Sequence, residues 1–230
     1  MLTFGLSGSS GRMGRHVESI LEKTRGASVI EHFDREHARA DFDRPNVWID
    51  FSSPQGLRKL IQGLLKVRHG ALPKLVVGTT GITKADRALL KRLSKRTAVF
   101  VGANFSVGVA HLRQALRLIA PSLEKLGYQV SVFEQHHRHK KDAPSGTALE
   151  IQRDLIASGV RKPQMHSVRA GELPGEHGVR FSGSHDFLEI RHFALNRGVF
   201  AQGAVDIGFW IAKRKRGYFE MGDYLKELRR

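Results

Sequence analysis

The sequence predicts an α/β protein of two domains, an N-terminal doubly wound parallel sheet and a C-terminal α+β domain with an open mixed sheet. In the N-terminal part, short apolar runs alternate with stretches whose apolar residues recur at helical spacing. A glycine-rich turn joins the first apolar run to the first helical stretch, and alternating apolar and polar positions dominate the C-terminal part. Strands that alternate with helices are typical of a parallel sheet with right-handed crossovers. At 230 residues, the chain is long enough for two modest domains with their own hydrophobic cores.

Five short apolar runs, each bounded by turn residues, predict the strands of the first domain. They are Leu2–Leu6, Ser28–Phe33, Val47–Phe51, Leu75–Gly78 and Ala98–Val101. Apolar residues at helical spacing predict helices directly after the glycine-rich turn, at Gln55–Val67 and at Lys84–Leu93. We expect this domain to occupy residues 1–106 and to be completed by residues 207–230, which can pack back onto it.

The pattern changes near Ser106, where a long amphipathic stretch that ends at Leu126 leads out of the first domain. Helical patterns also cover Ser145–Ala157 and, near the end, about Ala204–Lys213. Four segments alternate like strands of an open sheet: Gln129–Phe133, His166–Arg169, Val179–Gly183 and Phe187–Phe193. Residues 107–206 are therefore expected to form the second domain.

The positive charge of the chain suggests an alternative function. The formal net charge is +16, so a nucleic-acid-binding protein is the first alternative to consider. The basic residues are dispersed, and the denser groups at Lys84–Arg96 and Lys213–Arg216 fall on apparent helices with apolar residues between them. Such spacing is typical of a solvated helix face, and no RNA- or DNA-reading motif accompanies it. We therefore expect no nucleic-acid partner, although anionic small molecules would also favour a positive protein.

Other features limit the chemistry and the location. The chain contains no cysteine, which removes disulfides, thiolate nucleophiles and cysteine-based zinc sites. No apolar run approaches membrane-spanning length, and the first residues lack the pattern of a signal peptide. The expectation is a cytoplasmic protein with no membrane partner.

The glycine-rich turn after the first strand predicts a nucleotide site. Gly8, Gly11 and Gly14 are spaced G-x-x-G-x-x-G, one residue from the usual dinucleotide fingerprint. Glycines there let the backbone bend and approach a pyrophosphate, which rests on the N-terminus of the following helix. A strand before the turn, a helix after it and Asp34 about 20 residues on all fit a Rossmann-like site. A glycine-rich turn that binds no ligand is the alternative interpretation.

The residues beside this turn give conflicting indications of the cofactor. A carboxylate at Asp34 suits the free ribose hydroxyls of NADH, whereas Arg35 suits the extra phosphate of NADPH. We therefore predict that both NADPH and NADH are used. Two further turns, Gly78–Gly81 and Gly102–Ser106, follow strands of the same sheet, where ligands of such sheets bind, although ordinary loops would look the same.

The segment Glu134–Ala148 concentrates imidazole and cationic side chains ahead of a Pro-Ser-Gly-Thr turn that opens a helix. A helix N-terminus with neighbouring hydroxyls favours a carboxylate, and histidine can exchange a proton near neutral pH. The segment therefore predicts an anion-binding acid–base site. One alternative is a metal site of His136, His137 and His139, but a fourth ligand at suitable spacing is not evident, and we predict no metal. The other is a basic loop for the phosphates of nucleic acid, which would leave the glycine-rich turn unexplained.

This segment, from His136-His137-Arg138-His139-Lys140 to Asp142-Ala143-Pro144-Ser145-Gly146-Thr147-Ala148, resembles the signature of the dihydrodipicolinate reductase family. Six shorter motifs resemble the family in the same order along nearly the whole chain: Gly11–Gly14, Asp50–Ser52, Gly78–Gly81, Ala103–Gly108, Ser167–Gly171 and Gly175–His177. The resemblance implies reduction of dihydrodipicolinate or 4-hydroxy-tetrahydrodipicolinate, a small cyclic dicarboxylate, with NADPH or NADH in the diaminopimelate route to lysine. Another Rossmann reductase with a different substrate is the alternative, because a fold alone does not fix chemistry.

The resemblance also implies roles for individual residues. His136 would donate and accept a proton, Lys140 would donate one, and His137, Ser145, Gly146 and Thr147 would contact the substrate. The implied cofactor residues are Gly8, Ser9, Ser10, Gly11, Arg12, Met13, Asp34, Arg35, Gly78, Thr79, Thr80, Gly102, Ala103, Asn104 and Phe105. A homotetramer built through the second domain is implied as well. The stretch from Arg35 to Asp50 is too short for the helix and strand that members usually carry there, which affects the adenosine side of the cofactor site.

Overall fold

A computed structural model describes residues 1–37, 39–68 and 70–228, and the chain forms two compact units. The first unit consists of Met1–Phe105 together with the chain from Phe200 onward. The second unit is Ser106–Val199.

The first unit contains a six-stranded sheet in the order β10-β5-β4-β3-β1-β2. Its strands are β1 (Leu2–Ser7), β2 (Ala27–Phe33), β3 (Val47–Asp50), β4 (Lys74–Val77), β5 (Ala98–Val101) and β10 (Gly217–Phe219). Every pair of neighbours is parallel, so the carboxyl ends of the strands meet at one edge, where ligands of such sheets bind. The five predicted strands are confirmed, and β10 was not predicted because its three residues are too short to show a period.

Two of the helices of this unit, α2 and α3, begin at residues whose side chains cap them. The helices are α1 (Arg12–Lys23), α2 (Pro54–Lys66), α3 (Lys84–Leu93), α6 (Gly198–Ala212) and α7 (Met221–Leu228). The Ser53 hydroxyl accepts the Gly56 N–H at the start of α2, and Thr83 and Asp86 form a reciprocal capping box on α3. Leucine and isoleucine side chains of α2 and α3 are buried with Trp48 in one core cluster. Between β2 and β3 the described residues form bends and turns with no helix, as the shortness of that segment indicates.

The second unit contains a four-stranded mixed sheet in the order β7-β6-β8-β9. Its elements are α4 (Val107–Lys125), β6 (Gln129–His136), α5 (Gly146–Ala157), β7 (Gln164–Arg169), β8 (Gly175–Ser182) and β9 (Phe187–Ala194). β6 pairs parallel with β7 and antiparallel with β8, so the predicted mixed sheet is confirmed. The prediction ended β6 at Phe133, whereas the strand continues to His136, because Glu134 and His136 occupy its buried face in place of apolar residues.

The two faces of this second sheet differ. On one face, apolar residues of α4 and α5 cover Val130, Val132, Val179 and Phe181. The opposite face carries Phe187 and Phe193, which are 62% and 50% exposed, and Val168, which is 48% exposed. Arg180 lies over the rings of Phe133 and Phe187 on that face. The second unit therefore presents an apolar and aromatic sheet face that its own helices leave uncovered.

Candidate functional site

The turn that follows β1 is shaped by two glycines. Gly8 adopts a φ of +80°, and its carbonyl accepts the N–H of Gly11 at 3.0 Å. A Cβ at Gly14 would overlap that same carbonyl and would lie 2.6 Å from the Ser9 carbonyl oxygen. Glycine at both positions therefore lets α1 begin directly against the turn.

The N-terminus of α1 is open to an anion. Gly11 is the N-cap residue and provides no side-chain hydrogen bond to the first turn. The free N–H groups and the helix dipole at such an end attract negative charge. Arg12 lies exposed in this first turn, with Met13 half-buried beside it.

Asp34, directly after β2, stabilises the glycine turn through hydrogen bonds. One carboxylate oxygen accepts the Ser9 hydroxyl at 2.5 Å and the Ser10 N–H at 3.0 Å, and the other accepts the backbone N–H groups of Glu36 and His37. Burial raises the pKa of the Asp34 carboxyl, but the hydrogen bonds from Ser9, His37 and Ser10 outweigh it and hold the pKa well below its ordinary value. The carboxylate predicted to meet a ribose is thus already bound to its own chain on both oxygens.

A cavity of about 590 Å³ opens beside the turn. It includes five of the predicted cofactor residues, and its lining is Ser7, Gly8, Ser10, Gly11, Phe33, Asp34, Arg35, Phe51, Ser52, Ser53, Gln55, Gly56 and Lys59. Two cations, Arg35 and Lys59, and the anionic Asp34 share this lining, so the charged side chains leave a positive balance. Ser9, Arg12 and Met13 lie outside it.

A buried carboxyl, that of Asp50, joins the ends of three neighbouring strands. It accepts the hydroxyls of Ser7 at 2.7 Å, Ser52 at 2.5 Å and Thr79 at 2.6 Å. Burial raises the pKa of Asp50, against the effect of these hydroxyl donors. Asp50 therefore fixes the relative position of β1, β3 and β4 at the cavity's edge of the sheet.

The other predicted cofactor residues follow β4 and β5 at the same edge. Gly78 packs against the Phe51 ring, Thr79 is buried on Asp50, and Thr80 is exposed. After β5, Gly102 and Asn104 are half-buried and Ala103 is exposed. Phe105 is 2% exposed and packs edge-on against Phe51, as a core residue does.

In the second unit, the end of β6 holds a buried carboxylate–imidazole pair. The Glu134 side chain is 0% exposed and accepts a hydrogen bond from the His136 Nδ1 atom at 2.5 Å. Burial lowers the pKa of His136, although the Glu134 carboxylate opposes this by favouring the charged ring.

Arg169, at the end of β7, binds the same carboxylate through both ends of its guanidinium. Its Nη1 and Nη2 atoms lie 2.9 Å and 2.6 Å from the two Glu134 oxygens. Burial raises the pKa of Glu134, but the hydrogen bonds from Arg169, Ser167 and His136 outweigh it and hold the pKa below its ordinary value. Glu134 is therefore a charged group in the interior of the second unit.

A second buried imidazole, that of His177 on β8, lies beside His136. The two ring centroids are 5.1 Å apart, and the His177 Nε2 atom is 3.1 Å from the Ser145 hydroxyl. Burial lowers the pKa of His177 to about 3, and the charges of His136 and other neighbouring cations act in the same direction. His177 is therefore neutral near neutral pH and shares a hydrogen bond with the Ser145 hydroxyl.

The predicted substrate residues gather at the start of α5. Ser145 caps this helix by accepting the Ala148 N–H at 3.2 Å, and its side chain is buried. Gly146 is exposed and Thr147 half-buried in the first turn, where the helix dipole favours a carboxylate. The Lys140 ammonium lies 2.8 Å from Asp142, and His137 donates its backbone N–H to the Leu173 carbonyl.

The sequence prediction missed several residues of both sites. Glu134, Arg169 and His177 stand within quoted motifs but received no role, because pairing them requires the register of β6 with β7 and β8. Lys59 looked like an ordinary cation of an amphipathic helix. Asp50 lies in the quoted motif Asp50–Ser52 at the end of a predicted strand but received no role.

Among residues 1–37, 39–68 and 70–228, no group of three or more histidine, aspartate or glutamate side chains is arranged to hold a metal ion. Within those same ranges, no helix has the length and apolar character needed to cross a bilayer.

Comparison with known proteins finds similarity over nearly the whole chain. The family model described as "Dihydrodipicolinate reductase, N-terminus" matches residues 2–105, and the one described as "Dihydrodipicolinate reductase, C-terminus" matches residues 108–225. A curated 4-hydroxy-tetrahydrodipicolinate reductase of Bdellovibrio bacteriovorus is 35% identical over 97% of this chain and 96% of its own length. One of the same name from Thermosipho africanus is 34% identical over 98% of this chain and 99% of its own.

Solved structures share the fold. A dipicolinate-bound dihydrodipicolinate reductase from a Paenisporosarcina species aligns with a TM-score of 0.73 at 20% identity, over 96% of this chain and 97% of that one. A myo-inositol dehydrogenase from Corynebacterium glutamicum aligns with a TM-score of 0.56 at 13% identity, over 94% and 90% of the two chains.

Proposed function

Since this chain belongs to the dihydrodipicolinate reductase family, we propose that it reduces 4-hydroxy-tetrahydrodipicolinate to tetrahydrodipicolinate with NADPH or NADH. The family and the class of enzyme predicted from the sequence, a nicotinamide-dependent reductase, are confirmed. The reaction is a step of the diaminopimelate route to lysine. The observation that carries the proposal is the buried Glu134–His136 pair, which is joined through Ser145 to the N-terminus of α5 and so brings an acid–base group next to a helix end that suits a carboxylate.

The cavity of the first unit fits a dinucleotide. Its glycine turn and the uncapped N-terminus of α1 suit a pyrophosphate, and Arg35 and Lys59 suit the negative charge of a 2′-phosphate. A bound reduced nicotinamide supplies the hydride. The binding roles of Gly8–Met13, Asp34, Arg35 and the turns after β4 and β5 are part of this proposal, and Ser9 acts through the carboxylate of Asp34.

The second unit supplies the acid–base chemistry. A substrate carboxylate is held at the first turn of α5, by Gly146 and Thr147 and with the help of His137. The 4-hydroxyl group of the substrate leaves as water, which gives the unsaturated ring of dihydrodipicolinate. Hydride addition to this ring pushes electrons onto a ring atom, which must then take up a proton. Lys140 and His136 supply it, and a positioned acid of this kind typically contributes about 10²- to 10⁴-fold in rate. Ser145 contributes by capping the helix rather than through a free hydroxyl.

The direct test is oxidation of NADPH and NADH by the purified protein with freshly generated substrate. We expect turnover with both cofactors, and inhibition by pyridine-2,6-dicarboxylate that competes with the substrate. Thermal stabilisation by NADPH with this dicarboxylate, and none by an oligonucleotide at physiological salt, separates the reductase from a nucleic-acid-binding protein. No oxidation of either cofactor, with melting shifts from the oligonucleotide alone, would reject the proposal.

A homotetramer in the cytoplasm is part of the same proposal. The uncovered face of the second sheet supports assembly, because exposed aromatic faces of this kind mark contacts between chains. Light scattering coupled to gel filtration measures the mass directly, and we expect four times the 25.7 kDa of one chain. The variant Phe187→Glu should reduce the mass, whereas an unchanged mass would place the contact elsewhere.

A further inference from the structure

We propose that the Glu134–Arg169 pair is a positioning device that orients the His136 imidazole and the start of α5 through one carboxylate. The inference rests on the proposed function only for what His136 and α5 then do. The roles assigned so far belong to His136, Lys140 and the first turn of α5. Glu134 and Arg169 would act indirectly, by holding these groups in position.

Besides the Ser167 side chain, four donor atoms converge on the Glu134 carboxylate. One oxygen receives the His136 Nδ1 atom at 2.5 Å and the Arg169 Nη1 atom at 2.9 Å. The other receives the Arg169 Nη2 atom at 2.6 Å and the Ser145 backbone N–H at 3.2 Å. A buried carboxylate with this many donors has a single orientation, since any rotation breaks a charge-assisted bond.

The first consequence concerns the tautomer of His136. A carboxylate can only accept, so the hydrogen on this side of the ring must be on Nδ1. The neutral ring therefore keeps its lone pair on Nε2, and Nε2 is the atom that gains and loses a proton. A Cβ placed on Gly175 would lie 2.8 Å from Nε2, so glycine at this position of β8 leaves room for the ring.

The second consequence concerns the carboxylate pocket. Ser145 is the N-cap residue of α5, and its amide is held by the same Glu134 group that holds His136. Arg169 also donates to the Asp142 carbonyl at 2.5 Å, which attaches the loop that carries Lys140. Loss of Glu134 should therefore disturb both proton transfer and substrate binding, while the cavity of the first unit contains none of these residues.

The two charges of the pair have opposite effects on the pKa of His136. The Glu134 carboxylate favours a charged His136 ring, whereas the Arg169 guanidinium disfavours it. Removing the carboxylate in Glu134→Gln should lower the pKa of His136. Removing the guanidinium in Arg169→Gln should raise it.

The test is titration of the His136 ring in the full-length protein, followed by long-range proton–nitrogen spectra and assigned by loss of its signals in His136→Asn. We expect the Nδ1–H tautomer in the unmodified protein, loss of this preference in Glu134→Gln, and opposite pKa shifts in Glu134→Gln and Arg169→Gln. The matched control is Glu150→Gln, which removes a carboxylate paired with Arg113 at 2.5 Å on the helices of the same unit. It should leave the His136 signals unchanged.

Kinetics supply the second measurement. In Glu134→Gln we expect kcat to fall about 10- to 100-fold, as for other residues that orient a functional histidine. We expect KM for the dicarboxylate to rise roughly 2- to 10-fold from the lost amide contact, and KM for NADPH to stay the same. Equal pKa shifts in both variants, or an unchanged tautomer, would overturn the inference. If the unmodified protein has no reductase activity but the spectra behave as expected, the proposed reaction fails and the positioning role stands.

Discussion

The two candidate sites differ in the groups that form them, which are mainly backbone groups in the first unit and side chains in the second. At the glycine turn of the first unit, the geometry comes from the backbone: a positive φ at Gly8, a close approach at Gly14 and an uncapped helix end. At the end of β6 in the second unit, it comes from side chains that meet from three strands and a helix.

The buried carboxylates of the two sites make the difference explicit. Asp34 receives mostly backbone N–H groups and one nearby hydroxyl, and these donors come from the turn it fastens and from the three residues after it. Glu134 receives a guanidinium from a residue 35 positions away. Function at the first site should therefore be sensitive to substitutions that add a side-chain atom at its glycines. Function at the second site should be sensitive to the loss of single functional groups.

The largest effect is expected at the second site, from Lys140→Ala. Removing a positioned proton donor should lower kcat by about 10²- to 10⁴-fold with little change in the KM for NADPH. The matched control is Lys141→Ala, because Lys141 is the exposed neighbour in the same loop and its removal changes the net charge equally. Steady-state kinetics of both variants decide the matter, and equal losses would show that only the positive charge of the loop counts.

The next effect is expected at the first site, from Gly14→Ala. The added methyl group would collide with backbone carbonyls that cannot rotate away, so the turn must shift and KM for NADPH should rise about 10- to 100-fold. Gly222→Ala is the control, since a Cβ there meets nothing within 4 Å. An unchanged cofactor KM in Gly14→Ala would mean that the pyrophosphate does not rest on α1.

What the sequence could predict follows the same division. The first five strands, the glycine turn and Asp34 could be predicted because their sequence patterns are local in the chain. The roles of Arg169 and His177 were not readable, because only the pairing of β6 with β7 and β8 brings them to His136. Polar residues at inward positions also concealed the end of β6, since Glu134 and His136 break the apolar alternation that marks a strand. The place of Lys59 in the cavity lining could not be predicted, because an exposed lysine on an amphipathic helix looks the same in the sequence whether or not it lines a cavity.

The buried histidine of the second site should make stability depend on pH. Folded His177 takes up a proton only near pH 3, whereas the unfolded chain takes one up near pH 6.5. Between these values the unfolded state binds more protons, so this contribution to stability is complete above about pH 6.5 and is lost as the pH falls toward about 3. From about pH 7.5 to pH 5 the loss is roughly 2 kcal/mol.

Urea unfolding at these two pH values measures that loss. His177→Asn should flatten the dependence, whereas His185→Asn, at an exposed position, should leave it as it is. The same loss of stability in His177→Asn as in the unmodified protein would assign the pH dependence to other groups.

The smallest effect is expected from Lys59→Gln. This variant tests whether a side chain contributes to cofactor binding at a site whose geometry comes from the backbone. Both Asp34 oxygens are occupied by the protein, so the charges available to a cofactor's ribose are the cations Arg35 and Lys59. Lys59 is exposed, and a solvated pair is worth about 0.5–1 kcal/mol, so the kcat/KM ratio of NADPH to NADH should fall only about 2- to 5-fold. Lys66→Gln, an exposed cation on the same helix but away from the cavity lining, should leave the ratio unchanged. If both variants lower the ratio equally, the effect on the ratio comes from the overall positive charge of the chain and not from this residue.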